Sequence, residues 1–209
     1  MNSSTSVFVT VDGIDGVGKS TQIDRLTQHL ADCGHDVITV QDPGSSEIGK
    51  RLRELLLDSD LEMHRRTEAM LFMASRSEMI ESTIRPALAE GKSVISDRFL
   101  LANVVYQSIG TDDVTAELLW RLGRLAAGEL RPALTILLDM PAEAAMRRVG
   151  DRRDRMESRG VAYMESVRQA FLEQLPESSE HTIVVNANQD VEQVTAEMLA
   201  AVDSFLASR

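Results

Sequence analysis

Five short runs of β-branched and aliphatic residues, Val7 to Val11, Val37 to Val40, Ser93 to Ser96, Leu134 to Leu138 and Thr182 to Val185, are separated by segments with helical spacing. Apolar runs without alternation suit strands buried on both faces, and strand–helix alternation suits parallel pairing through crossover helices. The expected fold is therefore α/β, a five-stranded parallel sheet flanked by helices in three layers. Ile23, Leu26 and Leu30 predict a helix after Ser20 that Gly34 stops, and Val191, Val194, Met198 and Val202 predict a C-terminal helix. Leu61 to Glu90 reads as one long helix that Pro86 kinks or shortens. Further helices are expected over Leu100 to Ile109, over Val114 to Ala127, and through an Arg-rich stretch up to Leu175.

Ligands of such sheets bind beyond the carboxyl ends of the strands, so the segment after each strand carries the chemistry. After the first comes Gly13-Ile14-Asp15-Gly16-Val17-Gly18-Lys19-Ser20, a complete GxxxxGK[ST] loop between a strand and a helix. Its glycines let backbone N–H groups face phosphate oxygens, and the helix that follows aims its positive end at them. Lys19 neutralises phosphate charge and Ser20 is a Mg²⁺ ligand. The competing reading is a Gly-rich turn with an incidental lysine. The loop makes the expected fold that of a P-loop NTPase.

Asp97-Arg98-Phe99 follows the third strand, where Asp97 is placed to hold the Mg²⁺ shell; without the loop, a surface ion pair or a helix cap would explain it as well. The fourth strand ends at Asp139-Met140-Pro141, and Arg147, Arg148, Arg152, Arg153, Arg155 and Arg159 follow. Gly150 and Gly160 bracket most of this run, which reads as a short phosphate-gripping lid over about 149–161, or else as a solvated helical face.

With 33 Asp and Glu against 22 Lys and Arg the net charge is −11, which argues against polymeric nucleic acid and anionic membranes as partners. Only three of the cations are lysine (Lys19, Lys50, Lys92); the other 19 are arginine, the side chain that grips phosphate in two places. Cys33 is the single cysteine, and Met1 to Ser6 carries neither a basic nor an apolar leader, so a reduced, cytoplasmic setting is expected. No apolar run approaches the roughly 20 residues that span a bilayer. Without repeats, low-complexity tracts or linkers, one domain over 1–209 is expected, and His29, His35, His64 and His181 read as incidental.

Several segments together resemble the thymidylate kinase (dTMP kinase) family of P-loop nucleoside monophosphate kinases. They are Phe8 to Thr21 (FVTVDGIDGVGKST), Asp42 to Leu57 (DPGSSEIGKRLRELLL), Glu68 to Leu88 (ending IRPAL), Ser96 to Gln107 (SDRFLLANVVYQ) and Asp154 to Leu172 (DRMESRGVAYMESVRQAFL). The resemblance implies transfer of the ATP γ-phosphate to dTMP with Mg²⁺, in a homodimer, with Ser20 and Asp97 as metal ligands. It implies that Gly13 to Ser20 with Thr21 bind the ATP phosphates, and that Asp15 contacts the 3′-hydroxyl of the acceptor. Phe72 would stack on thymine and Arg76 would bond a base carbonyl; the alternative is a core Phe beside an exposed Arg. Asp42, Arg53 and Arg98 would organise and grip the monophosphate, while Asn103, Tyr106 and Gln107 would read the base and crowd the 2′ position. Arg155 would reach the ATP phosphates, so that Lys19, Arg98 and Arg155 are the implied catalytic set. The chain departs from the family in having Gln41 where an Arg usually precedes the acidic-Pro-Gly segment.

A related kinase acting on another nucleotide or nucleoside shares the loop and lid. A guanine-nucleotide switch would need an NKxD motif, and Asn186-Ala187-Asn188-Gln189-Asp190 lacks its lysine and spacing. No LSGGQ-type segment of the large ATPase machines is present.

Overall fold

Parallel ladders join β1 (Phe8–Asp12), β2 (Val37–Gln41), β3 (Ser93–Asp97), β4 (Leu134–Asp139) and β5 (His181–Asn186) into one sheet of order β2-β3-β1-β4-β5. The computed structural model describes residues 6–58, 61–110, 113–149 and 160–209. β1 is central and wholly buried, with Val9 between Ile95 of β3 and Leu134 of β4. Every strand continues one residue beyond its apolar run, to Asp12, Gln41, Asp97, Asp139 and Asn186, so a row of polar side chains ends the sheet at one edge.

α1 (Lys19–Asp32) starts at Gly18 with no side-chain cap, which leaves its first N–H groups available to a ligand. It stops where Gly34, at φ 89°, lets the His35 N–H reach the Leu30 carbonyl at 3.0 Å. α2 (Glu47–Arg53), which the apolar pattern does not predict, is capped by the Ser46 hydroxyl accepting from the Gly49 N–H at 2.9 Å and runs into a π-helical turn, Glu54–Asp58. The expected helix from Leu61 begins later, as α3 (Arg65–Met79), and passes through a π-helical turn, Ile80–Ile84, into α4 (Arg85–Ala89). Pro86 has no N–H to give the preceding turn, and that turn widens rather than breaks.

α5 (Leu100–Ser108), α6 (Ala116–Ala127), α7 (Ala142–Val149), α8 (Val161–Gln174) and α9 (Val191–Ala207) complete the described α-helices, and a 3-10 turn, Leu175–Glu177, follows α8. α1 packs beside α9, and α5 packs among α3, α6 and α8, so the sheet lies between two helical groups. The core is aliphatic, with Val11, Leu26, Leu30, Ile80, Val94, Val104, Val105 and Ile136 fully buried, each worth about 1.5–3 kcal/mol of transfer free energy. Among the described residues no helix is long and apolar enough to cross a membrane.

Candidate active site

A cavity of about 720 Å³ opens at the polar edge of the sheet, between α1, α2, α3, α5 and the start of α9. Its floor is the Gly-rich loop after β1. Gly13 has φ 141°, and a Cβ there would lie 2.6 Å from the Leu138 carbonyl oxygen; at Gly16, φ 84°, it would lie 2.2 Å from that of Ala145. The backbone therefore passes too close to β4 and α7 for any side chain. Asp15, Gly16, Val17, Gly18, Lys19, Ser20 and Thr21 line the cavity, whereas Gly13 and Ile14 lie beneath it and Ile14 belongs to the core. Their carbonyls accept from Lys19 Nζ, each at 3.0 Å, and Asp15 Oδ1 accepts at 3.3 Å. Burial and then the Arg98 charge depress the lysine's pKa.

Arg98 turns back over this loop from the end of β3. Its φ of 65° is a left-handed value that a residue with a side chain rarely adopts. There Nη1 donates to the Gly13 carbonyl at 3.2 Å and Nη2 to Asp15 Oδ1 at 2.5 Å, with the guanidinium 5.2 Å from the centre of the Tyr106 ring. Burial alone would raise the Asp15 pKa, but the charges of Arg98 and Lys19 and their hydrogen bonds outweigh it and hold the value at about 2. Asp97 lines the same cavity as Ser20, and its buried Oδ1 has no partner among the described residues. A carboxylate with an unpartnered oxygen and a hydroxyl, both on residues that line one cavity, fit a hard cation such as Mg²⁺.

The far half of the cavity is organised by Arg76. Its Nε donates to Asp42 Oδ2 at 2.5 Å, Nη1 to Asn103 Oδ1 at 3.1 Å and Nη2 to the Phe99 carbonyl at 3.4 Å, and both ends of the Arg76–Asp42 pair are withdrawn from solvent. The Asp42 carboxyl is raised by burial, with Arg76 opposing. Arg76 is thus a brace between α3, β2 and α5, with three nitrogens committed to protein partners. Around it, Asp42 Oδ1, Asn103 Nδ2 and both polar atoms of the Gln107 amide are buried without a partner among the described residues. Unpaired donors and acceptors at one end of a cavity suit a ligand that carries both, as a pyrimidine ring does. Half-buried Phe72 lies one turn before Arg76 on the same face of α3, and Tyr106 lines the same cavity beneath the Arg98 guanidinium. Arg53 lines the cavity from α2 while Nη1 donates to the Pro43 carbonyl at 2.9 Å. Gln41 also lines it, its N–H donating to Ser45 Oγ at 2.6 Å.

Several residues here escape the sequence reading. Asp12, one place beyond the apolar run of β1, is completely buried with neither carboxyl oxygen partnered among the described residues. Burial raises its pKa to about 7 against the opposing charges of Arg98 and Lys19. Glu68, one turn before Phe72, carries a legible signal in its spacing, while Gln189, Val191 and Val194 line the cavity from the loop after β5 and from α9. Arg168 holds both carboxylate oxygens of Asp139, at 2.7 and 2.8 Å, and fixes the end of β4 to α8. Of the Arg-rich run, Arg148 lines the cavity from the last turn of α7. Arg152, Arg153, Arg155 and Arg159, and with them most of the expected lid, lie outside the described residues.

The model of one protein family, Thymidylate kinase, matches residues 11–198. The chain is 62% identical over 198 residues to a thymidylate kinase of Rhodopirellula baltica, a match that covers 95% of this chain and 80% of that protein. It is 40% identical over 208 residues to a thymidylate kinase of Desulforudis audaxviator, covering 98% and 94%, and 34% identical over 203 residues to one of Thermosipho africanus, covering 97% and 100%.

Proposed function

The chain belongs to the thymidylate kinase family, and from that premise we propose that the cavity transfers the γ-phosphate of ATP to dTMP, giving ADP and dTDP on the route to dTTP. The observation that carries this reading is the division of one cavity into two ends. Lys19, Arg98 and the helix-starting loop form a cationic end, and Asn103 Nδ2 with both polar atoms of the Gln107 amide, unpartnered among the described residues, form a base-reading end beside Phe72.

An oxygen of the dTMP phosphate attacks the γ-phosphorus as the bond from that phosphorus to the β–γ bridging oxygen breaks, and that oxygen leaves on ADP. The attacking phosphate has its second pKa near 6, so it is already largely ionised at neutral pH and no general base is needed. What the protein must supply is alignment of two mutually repelling anions and neutralisation of the charge between them. Lys19 serves the donor phosphates and Arg98 bridges toward the acceptor, with Arg53 gripping the acceptor phosphate. Arg155 joins them on the strength of the family resemblance. Ser20 and Asp97 would hold Mg²⁺, which would supply positive charge to offset that of the donor phosphates. Asp15, kept ionised by Arg98 and Lys19, accepts from the 3′-hydroxyl. The Tyr106 ring crowds the 2′ position and so selects deoxyribose. The whole chain, 1–209, acts as one kinase domain and works as a homodimer.

Incubation of the protein with ATP, Mg²⁺ and dTMP, followed by anion-exchange separation of the nucleotides, tests this directly. Equimolar ADP and dTDP are expected. ADP without dTDP would mean hydrolysis and would refute the assignment.

A further inference from the structure

At the end of the molecule opposite the cavity, α1 and α9 bring three metal-ligating side chains together. The two helices run side by side in the same direction, joined by Gln22 to the Val191 carbonyl at 3.4 Å, by Arg25 to Glu192 at 2.6 and 2.8 Å, and by His29 to Asp203 at 2.7 Å. His29 and Cys33 are four apart in sequence at the end of α1 and so share a face. Cys33 Sγ lies 4.0 Å from His29 Nε2, the same ring nitrogen that Asp203 Oδ1 meets, and the three atoms all fall within 4.8 Å of one another.

We propose that His29 Nε2, Cys33 Sγ and an Asp203 carboxylate oxygen form a three-ligand site for a borderline-soft divalent ion, Zn²⁺ above all, with water as the fourth ligand. One proton on Nε2 can serve only one of the two groups that face it. With that nitrogen and the thiol deprotonated, a lone pair, a thiolate and a carboxylate converge on one point, which a cation satisfies together. Zn–S and Zn–N bonds of about 2.3 and 2.0–2.1 Å put neighbouring ligands of a tetrahedral ion roughly 3.4–3.6 Å apart. The observed 2.7 and 4.0 Å bracket that spacing. All three side chains reach the surface, with His29 24% and Asp203 53% exposed, so the adjustments of roughly 1 Å that tetrahedral ligation needs meet little packing resistance. Thiolate with imidazole selects zinc over the hard Mg²⁺ that serves the kinase site. None of the three lines the cavity. An ion here ties the tails of two helices whose first turns, Lys19 to Thr21 and Val191 to Val194, form part of its wall.

The test uses the metal-free full-length chain without nucleotide, titrated with Co²⁺. Because Cys33 is the single cysteine, a thiolate-to-cobalt band in the near ultraviolet reports this site alone. The band is expected to saturate at one Co²⁺ per chain and to be abolished by Zn²⁺ and by Cys33→Ser. His29→Ala and Asp203→Ala are expected to weaken Zn²⁺ binding by more than the roughly 10–100-fold that loss of an outer-shell partner costs. Zn²⁺ should raise the melting temperature of the wild type but not of Cys33→Ser, and all three variants should retain wild-type kinase activity. Absence of the band through several equivalents of Co²⁺, or a band and affinity unchanged in both His29→Ala and Asp203→Ala, would overturn the proposal.

Discussion

Arg98 occupies a backbone conformation that costs a residue with a side chain about 1–2 kcal/mol, and it is held there by the loop it bonds, through Gly13 and Asp15. A cationic side chain already fixed over the loop suits a preorganised charge stabiliser. Removing it, or Lys19, is expected to lower turnover by about 10²-fold or more while circular dichroism stays native; wild-type turnover in purified Arg98→Ala or Lys19→Ala would contradict these roles. Asp12 gives a second prediction. Its carboxyl titrates at about 7 when folded, above the ordinary 3.8. Below about 3.8 both states hold the proton and its contribution to stability is complete. Between 3.8 and about 7 only the folded chain holds it, so stability falls as pH rises through that window, by on the order of a few kcal/mol. Asp12→Asn, uncharged throughout, should therefore gain in melting temperature over wild type more at pH 8 than at pH 5, and an equal difference at both would contradict the assignment. The phosphate-loop residues were legible because each type has a chemical task at a fixed spacing. The bracing of Arg76 was not, because its partners Asp42 and Asn103 lie 34 and 27 positions away and meet it only through the sheet.

Apolar runs located all five strands but stopped one residue short of each carboxyl end. The reason is chemical: those last residues, from Asp12 to Asn186, are polar because they face the side where the cavity opens, so hydrophobicity ends before the ladder does. α2 was missed because its signal is a cap, Ser46, rather than an apolar stripe, and only Gly49 of the helix is buried. The π-helical turn before Pro86 shows the opposite case, where the breaker was legible but the response of the backbone was not. α7 is exposed to a small change in the loop. A methyl group at Gly16 would meet the Ala145 carbonyl oxygen at 2.2 Å and the Val149 side chain at 2.9 Å. Gly16→Ala is therefore expected to displace α7 from the loop, lowering the melting temperature and raising the KM for ATP; unchanged values of both would show that the contact yields freely.

A net charge of −11 and a cavity for two phosphorylated ligands coexist because the charge is not evenly spread. Lys19, Arg53, Arg76, Arg98 and Arg148 line one cavity against Asp15, Asp42, Glu68 and Asp97, so cations are in slight excess there although the molecule as a whole is acidic. At the same scale, α3 and α6 pack together and leave Met70, Leu118 and Leu125 exposed, Leu125 by 80%. These side chains are where we propose that a second copy of the chain docks in the homodimer. Leu125→Glu should shift sedimentation toward the monomer, and an unchanged dimer would exclude this face. The base-reading end is expected to select thymine on deoxyribose, and kcat/KM for ADP release with ATP, Mg²⁺ and each of dTMP, dUMP, dCMP, dGMP and the ribose form of TMP measures that selection. The highest value is expected for dTMP, with the purine and the ribose form both far below it. Equal values across the panel, or a purine monophosphate preferred, would contradict it.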